Sequence, residues 1–298
     1  MRETSLETGE VDLSLALAPL AMLPGDPTVR LAPGRFVRST LTPEGPGTIA
    51  VAWDPAEPRA RVRTTGPGEE WLARRAAALL GLADDATGFA PDAEPLRSIW
   101  SRFRGDRISA SCTPWHDLAF FIVQQRVTRE SAAQSWRQLV SALGTPVPGS
   151  SLPAPPEAAD IARLTYDALH RFGLERRRAE VLIAAARTMS RLPTDALADH
   201  ARVDRALGAV RGIGPWTLSC LATATWGDAD TVITGDSGIP SMVSWMLARE
   251  PRGDDARMLA LLEPYRPHRY RVIRLAFASG SRPPRQAPRV PDQPIRDR

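Results

Sequence analysis

Apolar and polar positions alternate with period two through much of the first ninety residues. Phe36 to Leu41 alternates directly after the Pro33-Gly34 turn. A turn-rich stretch from Pro43 to Gly47 separates it from Thr48 to Trp53, where Ile49, Val51 and Trp53 share a face. Ala60 to Thr64 alternates again after a second Pro-rich turn, and Leu13, Leu15 and Leu17 alternate with small residues and read as a further strand. Such runs between Gly/Pro turns predict an antiparallel meander, one face buried and one solvated. Trp71, Arg74, Arg75, Ala78, Leu79 and Leu82 recur at helical spacing and predict one helix laid over that sheet.

Beyond residues 83–88 the period changes from two to 3.6. Thr113-Pro114 has the form of an N-cap followed by proline at the first helical position, and Leu118, Phe121 and Ile122 follow at helical spacing. A second helix is predicted from Arg129, with Ala132, Trp136, Leu139, Val140 and Leu143 on one side. Gly144 to Pro156 reads as a Pro/Ser/Gly linker. Helices then follow from about Glu157 and from Glu175 to Arg191, the latter with a stripe of Ala179, Leu182, Ile183 and Ala186. The expected fold is α+β: a small antiparallel β-sheet domain with one helix over 1–90 and an all-α domain over 91–280. A disordered basic tail is expected over 281–298.

Composition narrows the chemistry. The length of 298 residues suits two domains at about 150 residues each. Every one of the 38 basic residues is arginine, so no lysine side chain can form a Schiff base. Two cysteines, Cys112 and Cys220, cannot build a disulfide framework, a four-cysteine zinc site or an iron–sulfur cluster. The four histidines show no ligand spacing, and no metal is expected. The longest apolar stretch, Leu13 to Leu23, is broken by Pro19 and falls short of the ~20 residues that span a bilayer, so a cytoplasmic protein without membrane contact is expected. From Arg266 to Arg298 nine arginines face two aspartates, which suggests a segment able to follow phosphates or, equally, a solvated tail.

One segment concentrates the remaining signal. Val203, Leu207 and Val210 form a helical stripe that ends at Arg211-Gly212-Ile213-Gly214, and Pro215 stands where a new helix starts. Glycines in such a turn let backbone approach a ligand, and the free N–H groups at the second helix's start suit a phosphate oxygen. Taken alone, the triplet is by default an ordinary turn between helices. Asp236 follows the apolar run Thr231 to Thr234 and precedes Pro240, so it is placed to cap a helix.

Gly212-Ile213-Gly214-Pro215-Trp216-Thr217, then Trp226, then Gly235-Asp236 together resemble the helix-hairpin-helix/Gly-Pro-Asp superfamily of DNA glycosylases, in particular its 3-methyladenine DNA glycosylase II branch. Ile122-Val123-Gln124-Gln125-Arg126-Val127-Thr128 and Glu263 to Arg269 resemble flanking segments of that branch, as does the N-terminal meander. The resemblance implies that Asp236 is the catalytic carboxylate and that Trp216 and Phe277 wall a base pocket. Both aromatics also suit plain core packing. Trp216 occupies the position of the lysine in lyase-type relatives. Arg126 stands where relatives insert a side chain into the gap left by a flipped nucleotide, and it also suits a phosphate contact or a surface charge.

The chain departs from the pattern at three pocket positions. Ser237 replaces an aromatic after Asp236 and is followed by Gly238, and Cys220 replaces one a helical turn after Trp216. Arg211 replaces a common proline. The resemblance implies DNA contacts by Gly212, Ile213, Gly214, Thr217, Arg126 and Arg211, and no cofactor beyond a monovalent cation that such hairpins can hold on backbone carbonyls. The expected activity is a monofunctional glycosylase, working as a monomer on double-stranded DNA and hydrolysing alkylated, 3-methyladenine-like bases after flipping. A non-catalytic DNA-binding or lesion-sensing protein is the competing expectation, supported by the three altered pocket positions.

Overall fold

In the computed structural model, which describes residues 1–284, the chain enters through an edge strand that carries almost no hydrophobic signal. This strand, β1 (Arg2–Glu7), pairs antiparallel with β5 (Arg59–Thr65) and sets Glu3 opposite Arg63 and Glu7 opposite Arg59. Arg63 Nε donates to Glu3 at 2.7 Å and Arg59 Nε to Glu7 at 2.9 Å, so cross-strand charge pairs supply the register. Between them in sequence lie β2 (Val29–Ala32), β3 (Arg35–Thr42) and β4 (Gly45–Trp53). The sheet order is β1-β5-β4-β3-β2, an antiparallel meander closed at one edge by the N-terminal strand.

The expected strand at Leu13 to Leu17 is instead a short helix, α1 (Leu13–Leu17). Asp12 overrides the alternation: its carboxylate accepts from the N–H groups of Ser14 and Leu15 at 2.9 and 3.2 Å, which nucleates a helical turn. Leu13 and Leu17 then fall on one side of the helix and pack with Phe36, Ile49, Val51 and Val62 of the sheet. The covering helix α2 (Glu69–Leu79) buries Trp71, Leu72, Ala76 and Leu79, while Arg74 and Arg75 point to solvent. The inward stripe is therefore rotated from the one predicted.

The rest of the described chain is helical. After α3 (Leu96–Arg102) come α4 (Pro114–Gln124) and α5 (Arg129–Leu143), where Leu118, Ile122, Ala132, Trp136 and Leu139 are buried. The expected linker after α5 is tied down: Thr145 and Ala154 pair through backbone bonds of 3.0 and 2.9 Å, and Ser39 Oγ of β3 donates to Leu152 O at 2.9 Å. Then follow α6 (Ala158–Ala162), α7 (Tyr166–His170), α8 (Arg176–Met189), α9 (His200–Gly208), α10 (Pro215–Thr225), α11 (Ile239–Ala248), α12 (Asp255–Leu262) and α13 (Arg269–Ala278). One hydrophobic core joins these helices, and a smaller one lies beneath the sheet. No described helix is long and apolar enough to cross a membrane. Most of the expected tail, from residue 285 onward, lies outside the described residues.

Polar groups join the two bodies. Arg38 of β3 donates to Asp117 of α4 at 2.8 Å with both side chains buried, and Thr225 of α10 donates to the other Asp117 oxygen at 2.7 Å. Beside them His116 is buried between Thr40 and Thr28, with Nδ1 2.9 Å from Thr40 Oγ1. Burial, helped by the nearby Arg38 charge, holds this imidazole well below its ordinary value of 6.5. At pH below 6.5 the unfolded chain binds a proton here that the folded protein refuses. Stability therefore falls as pH drops below 6.5, by up to about 1.4 kcal/mol per pH unit. Burial raises the Asp26 carboxyl, which acts in the opposite sense, so a variant is needed to isolate the histidine. Denaturant unfolding at pH 7.5 and 5.5 is expected to show a smaller acid loss for His116→Asn than for the unaltered protein. Equal losses in the two proteins would remove His116 as the source.

The basic character expected of the C-terminal stretch is corrected for its first four arginines. Arg269 and Arg266 bind Asp230 at 2.7 and 3.1 Å, Arg271 forks onto Asp84 with two bonds of 2.8 Å, and Arg274 is clamped by Asp106. All four charges are paired within the protein, and Arg271 and Arg274 are buried. Arg285, Arg289, Arg296 and Arg298 lie outside the described residues.

Candidate active site

The hairpin forms as its sequence suggests. Asp199 caps α9 by accepting from Arg202 N at 3.1 Å, Val203 and Leu207 face the core, and the chain reverses before Pro215 opens α10. The two glycines of the turn answer different needs. Gly212 has φ +98°, and a Cβ there would lie 2.3 Å from Val181 of α8, so this residue is fixed by packing. A Cβ on Gly214 would meet nothing within 4 Å, so this side of the turn is open to an approaching ligand. The first-turn N–H groups of α10 lack intrahelical partners and lie on the same turn. Arg211 is exposed beside them, while Ile213 and Thr217 are buried.

Gln125, at the end of α4, pins the hairpin. Its side-chain amide donates to Gly212 O at 3.1 Å and to Thr217 Oγ1 at 2.9 Å. The next residue, Arg126, is exposed with φ +56°, an unfavourable left-handed conformation for a bulky side chain. Arg126 is thereby held out from the protein on the turn next to the hairpin. The motif points to this segment, but nothing in the sequence marks Gln125 for a bonding role. Two adjacent amides at a helix end are a weak signal without the fold.

Asp236 lies on the loop between α10 and α11, directly after Gly235, where the chain turns at φ +76°. Gly235 N donates to Asp255 at 2.8 Å, which fastens the loop to α12. The Asp236 carboxylate has both oxygens engaged. Oδ1 accepts from the N–H groups of Gly238 and Ile239 at 2.8 and 2.9 Å, capping α11, and Oδ2 accepts from the indole N–H of Trp216 at 3.0 Å. Trp216 is half-buried, and Phe121 of α4 meets it edge-on, with centroids 6.2 Å apart and planes at 87°. Phe121 reads as core from sequence, and its place against Trp216 needs the three-dimensional fold.

Cys220 sits one turn along α10, buried. Burial and then the Asp236 charge push its thiol up, so it stays protonated near neutral pH and is no nucleophile. Ser237 and Gly238 are exposed beside the carboxylate. Phe277 is 57% exposed at the end of α13, and among the described residues no ring contact joins it to Trp216. The structure thus brings Asp236, Trp216, Cys220 and Ser237 together and leaves Phe277 on the surface. Among the described residues no cluster of three histidine, cysteine or carboxylate side chains can hold a metal. Of the hairpin carbonyls, Val210 O accepts from Ile213 N and Gly212 O from Gln125, so a cation there would share oxygens already bonded.

Comparison with known proteins gives this geometry a setting. The model of the HhH-GPD superfamily base excision DNA repair proteins matches residues 119–267, from α4 to the approach of α13. The 3-methyladenine DNA glycosylase from Archaeoglobus fulgidus superposes with a TM-score of 0.76 at 20% identity, covering 94% of this chain and 99% of that one. The apo 8-oxoguanine glycosylase/lyase from Clostridium acetobutylicum gives 0.69 at 13% identity, over 93% and 96% of the two chains. The same Clostridium enzyme in complex with double-stranded DNA containing cytosine opposite 8-oxoguanine gives 0.67 at 12% identity, over 94% and 98%. At these identities the likeness is one of fold, and it includes the N-terminal sheet. No curated protein matches in sequence.

Proposed function

Since the chain belongs to the HhH-GPD superfamily of base excision DNA repair proteins, we propose that it is a monofunctional DNA glycosylase for alkylated purines. The observation that carries the reading is Asp236: a carboxylate fixed at both oxygens, beside an aromatic ring and a hairpin with an open glycine. In this reading Gly212, Ile213, Gly214, Thr217 and Arg211 form the hairpin that meets a phosphate. Arg126 occupies the gap left when a damaged nucleotide leaves the duplex. Trp216, Cys220 and Ser237 border the receiving pocket, and Phe277, exposed at the end of α13, stands apart from them. The protein works as a monomer in the cytoplasm and needs no cofactor.

The chemistry is hydrolysis of the N-glycosidic bond. Water forms the new bond to C1′, the bond to the base breaks with its electron pair going to the base, and the water's proton passes to solvent. A cationic alkylated purine leaves as a neutral molecule, so no acid has to protonate it. Positive charge builds on the sugar in the transition state, and the Asp236 carboxylate stabilises it. The position of the lyase-type lysine carries Trp216, and the chain has no lysine to replace it.

Duplex DNA treated with dimethyl sulfate tests the reading. Incubation is expected to release free 3-methyladenine or 7-methylguanine and to leave intact abasic sites, with no borohydride-trapped protein–DNA adduct. An adduct would overturn the monofunctional assignment. Tight binding of methylated duplex with no base released would favour the lesion-sensing alternative.

A further inference from the structure

Among the described residues, the indole N–H of Trp216 is the one donor to Asp236 from beyond the three residues that follow it in the chain. We propose that Trp216 is a positioning residue, whose N–H fixes the Asp236 carboxylate in the orientation that stabilises positive charge at the sugar. The inference rests on the proposed glycosylase reading and deepens it. An aromatic wall would act through the face of its ring; here the nitrogen-bearing edge is turned to the carboxylate.

The need for such a group follows from the torsions of aspartate. Gly238 and Ile239 both donate to Oδ1, so they anchor one oxygen and leave the other to swing about it. The terminal torsion of an aspartate is soft, with broad wells and no sharp staggered minimum. A charge-assisted bond from Trp216 at 3.0 Å removes that freedom and sets the plane of the carboxylate. The donor itself is held. Phe121 packs edge-on against the indole, and a Cβ on Gly235 would come within 3.7 Å of Trp216 Cβ, so the loop lies close on it. One residue further along α10, Thr217 is bonded to Gln125. A chain of fixed contacts therefore runs from α4 through the hairpin helix to the carboxylate.

Two abasic-site analogues separate this role from a structural one. Duplex containing a pyrrolidine analogue carries a positive charge near the C1′ position, and duplex containing a tetrahydrofuran analogue is neutral and nearly the same shape. The unaltered protein is expected to prefer the cationic duplex, and Asp236→Asn to lose the preference. Trp216→Phe keeps an aromatic ring and removes the N–H. It is expected to lose about tenfold of the preference, the worth of one hydrogen bond to a charged group, read as the ratio of the two affinities so that any change common to both duplexes cancels. If Trp216→Phe lowers the thermal midpoint, benzothienylalanine placed at 216 preserves the shape of tryptophan without its N–H and is expected to give the same loss.

A preference that survives both replacements but vanishes in Asp236→Asn overturns the positioning role and leaves the glycosylase reading standing. No preference in the unaltered protein overturns the assignment of Asp236 itself, and the inference with it.

Discussion

Asp236→Asn is expected to lower single-turnover base release from methylated duplex by about 10²–10⁴-fold, the range for losing a positioned charge or acid–base group. The substitution leaves the fold in place for a specific reason. Asparagine keeps an oxygen that can accept from Gly238 and Ile239, so the cap of α11 survives, and asparagine ranks with aspartate as a cap. Its NH₂ group then faces the indole N–H of Trp216, donor against donor, which costs on the order of 1 kcal/mol at this half-buried bond. Binding to undamaged duplex is expected to be unchanged or slightly tighter, because a negative charge near the phosphates has gone. Asp236→Ala removes the cap as well and is expected to lose about 1 kcal/mol more stability than asparagine. The contrast is in the rates: if both variants release base as the parent does, Asp236 only caps a helix and catalysis must lie elsewhere.

How far the fold was legible depended on whether the local signal and the tertiary demand agreed. For β3, β4 and β5 they agreed, because alternation and flanking turns describe a half-buried meander directly. At Leu13 to Leu17 they conflicted. Five residues of alternation fit either a strand or one helical turn with two apolar positions, and the Asp12 cap decided the outcome. β1 was invisible because its information is charge pairing with β5, which no single segment displays. The inward stripe of α2 was misplaced for a related reason. Arg74 and Arg75 share helical spacing with Trp71, but only Leu72 and Ala76 can be buried without a partner.

The site was legible in its motif residues and hidden in its couplings. The hairpin glycines, Trp216 and Asp236 are close in sequence and sit in a recognisable spacing, so their proximity could be expected. The contacts that give the site its geometry are long-range. Gln125 reaches Gly212 across 87 positions and Asp255 reaches Gly235 across 20. Phe277 shows the opposite failure: an aromatic on the last helix suited a pocket wall, yet the helix ends with its ring in solvent.

Arg274→Met is expected to cost about 3–5 kcal/mol of stability and to leave the salt dependence of DNA binding unchanged. From sequence this arginine belongs to a basic segment that suits either phosphate tracking or a solvated tail. In the fold its guanidinium is buried, bonded to both oxygens of Asp106 and, at 3.0 Å, to Leu15 O of α1. Burial works against the guanidinium's charge, but the Asp106 carboxylate outweighs it and raises the arginine's already high affinity for its proton. Methionine fills much of the same volume but leaves Asp106 buried without its counter-charge, and that unpaired carboxylate is the source of the loss. The double variant Asp106→Leu with Arg274→Met removes both charges and is expected to recover most of it, because a buried pair contributes little over a well-packed apolar replacement. Denaturant unfolding of the two single variants and the double variant measures the coupling. Were Arg274 a phosphate ligand instead, its removal would flatten the logarithmic slope of binding against salt by about one. A flatter slope with little change in stability would return Arg274 to the DNA-facing surface.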